Sequence, residues 1–155
     1  MATEKWIAGS GQGLTWGSIF GTEINSLANG NAVLSSVSVT NGTALDMFAD
    51  VSFVAGATIT TVAPNFLGVY LYPLNEDGST YGDGRYGSAA AGPPSANYWV
   101  GNIAFNAASS TTVVGMLEKI VIPPGTFSLV LYNQAGATLA SSNTCKYRTY
   151  NRSVA

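Results

Sequence analysis

Eight carboxylates and one thiol are the chain's stock of acids and nucleophiles, and there is no histidine. That absence removes the commonest general base, the Ser-His and Cys-His nucleophile pairs and the commonest metal ligand. Cys145 has Lys146 and Arg148 nearby, cations of the kind that lower a thiol pKa, but with no base beside it the residue reads as a small buried side chain. Two carboxylates suffice for glycoside hydrolysis at separations of about 5–9.5 Å. Asp46 and Asp50, four apart on one strand face, are spaced about 13 Å, which leaves only a pair drawn from different strands. The segment from Asn75 to Gly84 has some of the oxygen ligands and glycines of a calcium loop, but it fails the EF-hand spacing and lacks a closing glutamate; two Asp-Gly turns account for it. Gly9, Gly11 and Gly13 lack both the GxGxxG spacing and a Walker lysine. These residues predict a protein that is not an enzyme and has no cofactor and no metal.

The elements that hold these groups read as strands. From Val113 to Tyr132 two apolar runs flank Pro123, Pro124 and Gly125. Val114, Met116, Ile120 and Ile122 share one parity, and Phe127, Leu129 and Leu131 another, with a turn between that predicts an antiparallel pair. Asn41-Gly42 similarly predicts a hairpin between Ala32–Val39 and Ala44–Val54, the second strand placing Leu45, Met47, Ala49, Val51 and Phe53 on one face. Thr22–Ala28 is the one plausible helical turn, with Thr22 as its cap. Phe66–Tyr72 carries large apolar groups on both parities and predicts a strand covered on both faces. Tyr98–Phe105, Ala137–Ala140 and Thr144–Tyr150 complete eight or nine short strands. The fold class this predicts is all-β: a single antiparallel β-sandwich, jelly-roll-like.

Two segments stand outside that pattern. Residues 1–21 interleave glycines with Trp6, Trp16 and Phe20 and predict an N-terminal arm ahead of a β-sandwich domain at 22–155; the arm's aromatics either fold over their own core or lie on a neighbouring chain. The stretch from Pro73 to Asn97 is glycine-rich, holds Pro73, Pro93 and Pro94, and shows no periodicity. A loop of that length in a compact domain is usually functional or disordered, and Tyr81, Arg85 and Tyr86 are residue types enriched in interfaces, the alternative being a lid packed on its own domain.

At 155 residues the chain is the size of one domain and can bury a core without metals or disulfides, and a single cysteine allows no intrachain disulfide. Charged residues make up 9% of the chain, well below the roughly 25% of ordinary soluble domains, as in surfaces that stay packed on other proteins and in secreted all-β domains. A net charge of −2 argues against a nucleic-acid partner. No apolar run approaches a membrane span and no leader pattern opens the chain, which predicts a product of the cytoplasm without a membrane partner. Half the six cations, Lys146, Arg148 and Arg152, cluster near the C-terminus, as a solvated strand edge or as contacts to an anionic protein.

The runs NSLANGNAVLS at 25–35, LYPLNEDGSTYGDG at 71–84, YWVG at 98–101 and KYRTYNR at 146–152 resemble small virion structural proteins of tailed bacteriophages. The resemblance implies a head decoration, or cement, protein of jelly-roll fold, made in the host cytoplasm and placed on the capsid exterior. Its implied partners are the major capsid protein and other copies of itself, as a homodimer or homotrimer. Trp6, Trp16, Phe20, Tyr81, Arg85, Tyr86, Arg148 and Arg152 are the expected interface residues. A tail- or fibre-associated adhesin that binds carbohydrate is the alternative.

Overall fold

In the computed structural model, Pro123, Pro124 and Gly125 carry the chain from one sheet to another instead of turning a hairpin within one. The structure describes residues 4–8, 14–61, 65–84, 89–105 and 112–154, with the backbone alone at 4–6, 8, 153 and 154. Its strands are β1 (Glu4–Ala8), β2 (Gly17–Phe20), β3 (Asn31–Leu34), β4 (Val39–Thr40), β5 (Phe48–Thr58), β6 (Phe66–Pro73), β7 (Ala90–Ala91), β8 (Trp99–Ala104), β9 (Thr112–Val121), β10 (Thr126–Gln134) and β11 (Thr144–Val154). Sheet A has the order β1-β11-β5-β9, with β2 following β1 along the same edge of β11. Sheet B has the order β7-β3-β10-β6-β8, with β4 following β3 along β10.

The pairings describe one long hairpin rolled up. β2 pairs with β11, β3 and β4 with β10, β5 with β9, and β6 with β8, all antiparallel, so the tip of the hairpin is the connection from β6 to β8. Rolling it brings β11 against β5 and β10 against β6, which closes the two sheets and gives a jelly-roll sandwich. The long central loop is therefore the tip of the roll.

Both expected hairpins are corrected by this topology, because β4 and β10 lie in sheet B while β5 and β9 lie in sheet A. Proline and Asn-Gly end a strand, but they do not dictate which sheet the next strand joins. At the first corner Asn41 is buried, and its side chain adds to the turn's own hydrogen bond from the Leu45 N–H to the Asn41 carbonyl. Its Nδ2 donates to the carbonyls of Asp46 at 2.8 Å and Pro123 at 2.9 Å, and its Oδ1 accepts from the Asp46 N–H at 2.7 Å. One amide thus ties both corners together.

Between the sheets, Val51, Phe53, Leu67, Val69 and Leu131 are fully buried, each side chain contributing about 1.5–3 kcal/mol over its exposed state. The face expected for β5 holds for Ala49, Val51 and Phe53, whereas Leu45 and Met47 precede the strand and are exposed. The parity expected for β9 breaks in its middle. Val51 stands opposite Leu117 and Ala49 opposite Ile120, so Glu118 and Lys119 face the single residue Asp50 in a β-bulge with Lys119 at φ 57°. Val113 and Ile120 consequently point inward, while Val114 is 61% and Met116 45% exposed.

The N-terminal segment contributes strands, because backbone pairing on β11 requires no apolar periodicity. Thr22–Ile24 is one 3-10 turn, not an α-helical one, and its start has no Thr22 cap. Glu23 instead accepts from the N–H groups of Gly21 and Ser36; burial raises its carboxyl pKa, but these donors outweigh it and the net shift is downward. Residues 137–140 are a loop, not a strand, although Leu139 is buried. β6 is covered on both faces, with Leu67, Val69 and Leu71 toward the sandwich core and Tyr70 and Tyr72 in a second cluster with Ala32 and Val130.

Candidate interaction surface

Asp50 organises the outer face of sheet A. It lies on the parity opposite Val51, and its side chain is only 4% exposed although it points away from the sandwich core. Four donors explain how a carboxylate can be buried there. Oδ1 accepts from the Tyr150 hydroxyl at 2.8 Å and the Lys119 N–H at 3.0 Å; Oδ2 accepts from Nε of Arg148 at 2.9 Å and lies 2.9 Å from its NH2 nitrogen. Cross-strand register supplies the partners, since Arg148 is directly opposite Asp50 and Tyr150 opposite Phe48. Burial, followed by the hydrogen bond to Asp50 and that residue's charge, pushes the Tyr150 phenol up to about 12. The ring stacks on Phe48 with centroids 5.8 Å apart.

Trp16 caps the group, with its ring 4.7 Å from Cζ of Arg148 in a cation–π contact. A depression of about 300 Å³ opens beside Arg148, lined by Leu14, Asp50, Glu118, Lys119, Arg148 and Tyr150. A smaller one of about 150 Å³ is lined by Trp16 itself with Ser52, Val54, Thr144 and Lys146. The face continues into the exposed Val114 and Met116 of β9. Charge is unevenly divided between this sheet and the rest. Lys5, Lys119, Lys146, Arg148 and Arg152 against Glu4, Asp50 and Glu118 give the strands of sheet A a formal charge of +2; since the chain totals −2, the remainder carries −4.

The opposite face is covered for the most part by the chain itself, although Trp99 of β8 is 52% exposed. Tyr81 is half-buried, packs on the second aromatic cluster and bridges to Leu74. Tyr98 packs on Tyr72 with centroids 4.5 Å apart, and the Tyr72 hydroxyl donates to Asp83 at 3.3 Å. Gly82, at φ 54°, lies so close to the Tyr72 ring that a Cβ there would fall 2.3 Å from it. Ahead of this contact, Asp77 accepts from the N–H groups of Ser79 and Thr80 and from the Thr80 hydroxyl, while Asn75 donates to Gly82. The Thr80 hydroxyl, then the two N–H groups, hold the Asp77 carboxyl down at about 2. Its lone pairs serve the turn, and no group of three metal-ligating side chains occurs among the described residues.

Of the expected interface residues, sheet A brings together Trp16 and Arg148, and Trp6 stands opposite Arg152 in the β1–β11 ladder. Arg152 is exposed; the Trp6 side chain lies outside the described residues. Phe20, 4% exposed, belongs to the sandwich core, and Tyr81 sits on the other sheet. Arg85 and Tyr86 lie outside the described residues. Cys145 is buried; burial and then the Glu23 charge raise its pKa, so it is a thiol and not a thiolate at neutral pH. The sequence reading missed Asp50 and Tyr150 as members of the surface. The one available signal was a carboxylate between Ala49 and Val51, both core residues, and it becomes informative only when Arg148 is placed opposite. Comparison with protein-family models, with curated proteins and with solved structures finds no match.

Proposed function

We propose that this chain is a non-enzymatic structural protein of a tailed-bacteriophage virion, which attaches to the outside of the major capsid protein shell through the outer face of sheet A and stabilises it. The observation that carries the reading is the asymmetry of the two sheet faces. Sheet B is largely packed beneath its own loop, with Trp99 exposed at its β8 edge, whereas sheet A presents Trp16, Arg148, Lys146, Val114 and Met116 on a net-positive surface that no described residue covers. Tryptophan and arginine anchors ringed by apolar groups are what protein interfaces concentrate. A surface of formal charge +2 on a chain of −2 favours a carboxylate-rich partner and orients the approach. The sequence resemblance to decoration proteins supports the same reading, as does the jelly roll, an architecture common in capsid proteins. Because the fold also serves lectins, the proposal rests on the face and not on the fold alone.

The smaller depression, which Trp16 lines together with Ser52, Thr144 and Lys146, favours a second reading, a carbohydrate-binding adhesin of the virion, since an aromatic ring next to hydrogen-bonding side chains is also a sugar platform. Copy number separates the two. Quantitative gels of purified particles are expected to show hundreds of copies per particle for a shell-decorating protein; a few to tens would favour the adhesin, and none would remove both.

A further inference from the structure

We infer that β9 is the strand through which two copies of this chain associate, its outer edge pairing antiparallel with β9 of the second copy about a two-fold axis at Gly115. The four lateral edges of the sandwich are unequal. One holds β1 and β2, of 5 and 4 residues; β7 has 2 and β8 has 6, but β9 has 10. No strand pairs with the outer edge of β9 among the described residues. Proteins blunt long edges with charge, proline or bulges; in β9 the charges are confined to Glu118 and Lys119, and the pairing with β5 is irregular there and again between Val114 and Thr112. Thr112 to Leu117 has no charge and no proline.

That uncharged segment is complementary to itself. An antiparallel two-fold at Gly115 places Val114 opposite Met116 of the second copy on the outer face, and Val113 opposite Leu117 on the inner face. Each apolar residue meets another, as an isologous interface requires. Shifting the axis one way opposes Val114 to Glu118, and shifting it the other way opposes Met116 to Thr112. The central register also keeps both charged residues of each copy away from the axis. Ile103 occupies the space a side chain at 115 would take, so the inner side of β9 is closed at the axis and the free direction is lateral. The pairing accounts for the exposure of Val114 at 61% and Met116 at 45%. Because a two-fold of this kind is perpendicular to the sheet, both copies present their Trp16–Arg148 faces on the same side, ready for two-point attachment.

Sedimentation velocity tests this without any shell protein, so its outcome is independent of the attachment reading. The wild-type chain is expected to be dimeric at about 10 μM, a Kd in the micromolar range or below. Val114→Lys with Met116→Lys, both exposed positions, is expected to raise that Kd at least about a hundredfold while leaving the circular dichroism spectrum unchanged and removing the concentration dependence of Tm. Mixing a Val114→Cys chain with a Met116→Cys chain under mild oxidation is expected to give a covalent heterodimer, with little product from either alone. A wild-type chain that stays monomeric at about 100 μM, or a lysine variant that remains a dimer, would overturn the inference. So would cross-linking that is as efficient within each single variant as between them.

Discussion

Lys119 gives its main-chain N–H to the buried carboxylate of Asp50 at 3.0 Å, and this bond sits at the bulge where β9 reverses the faces of its side chains. The same carboxylate holds Arg148 beneath Trp16 and binds the Tyr150 hydroxyl. One residue therefore links the shape of the edge strand to the composition of the outer surface.

Asp50→Ala is expected to cost about 3–5 kcal/mol, since it leaves Arg148 and the bulge amide without their acceptor. Urea unfolding measures it. The partial exposure of Arg148, whose side chain is 31% accessible, favours the lower end of that range. A loss below about 1 kcal/mol would mean that water replaces the carboxylate at little cost.

Tyr150 predicts a stability loss at high pH. Its folded pKa of about 12 lies above the ordinary value of 10.0, so the neutral phenol is favoured by folding. The contribution is complete below pH 10 and is lost as the pH rises toward 12. Tyr150→Phe is expected to flatten that part of the stability profile. An unchanged profile would assign the loss to other groups.

Much of the fold was legible because it is local: the two-sided apolar pattern of Phe66–Tyr72 predicts a covered strand, and Tyr70 and Tyr72 do lie under a second cluster. The corners were not legible. Pro123-Pro124-Gly125 and Asn41-Gly42 have the same chemistry whether the next strand pairs beside the last or across the sandwich, and distant partners decide which. The face reversal in β9 is fixed by an acceptor 69 positions away, and the surface itself by an Asp50–Arg148 pair 98 positions apart. Aromatic composition marked Trp16 and Phe20 alike; only placement separates them, Phe20 standing opposite Cys145 in the ladder with β11 and buried in the core, and Trp16 lying just ahead of β2 over Arg148.

At the tip of the roll, Gly82→Ala and Gly78→Ala form a matched pair. Both glycines have positive φ, 54° and 66°, but a Cβ at 82 meets the Tyr72 ring while one at 78 meets open space. Gly78→Ala is expected to cost about 1–2 kcal/mol from backbone strain alone. Gly82→Ala is expected to exceed it by at least about 1 kcal/mol through displacement of the packed loop. Equal costs by thermal unfolding would show that the loop yields freely.

The central claim is that the outer face of sheet A attaches this protein to a shell, and co-sedimentation with particles stripped of their own copies tests it most directly. Ser52→Glu with Lys146→Glu turns the smaller depression beside Trp16 acidic while leaving the Asp50–Arg148 pair in place. The account predicts at least about a tenfold loss of particle binding, or roughly 1.4 kcal/mol, with circular dichroism unchanged and only a small fall in Tm from the two glutamates facing each other across β5 and β11. Wild-type binding is expected to weaken as salt rises. Full particle occupancy by the doubly acidic variant at the same protein concentration would contradict it.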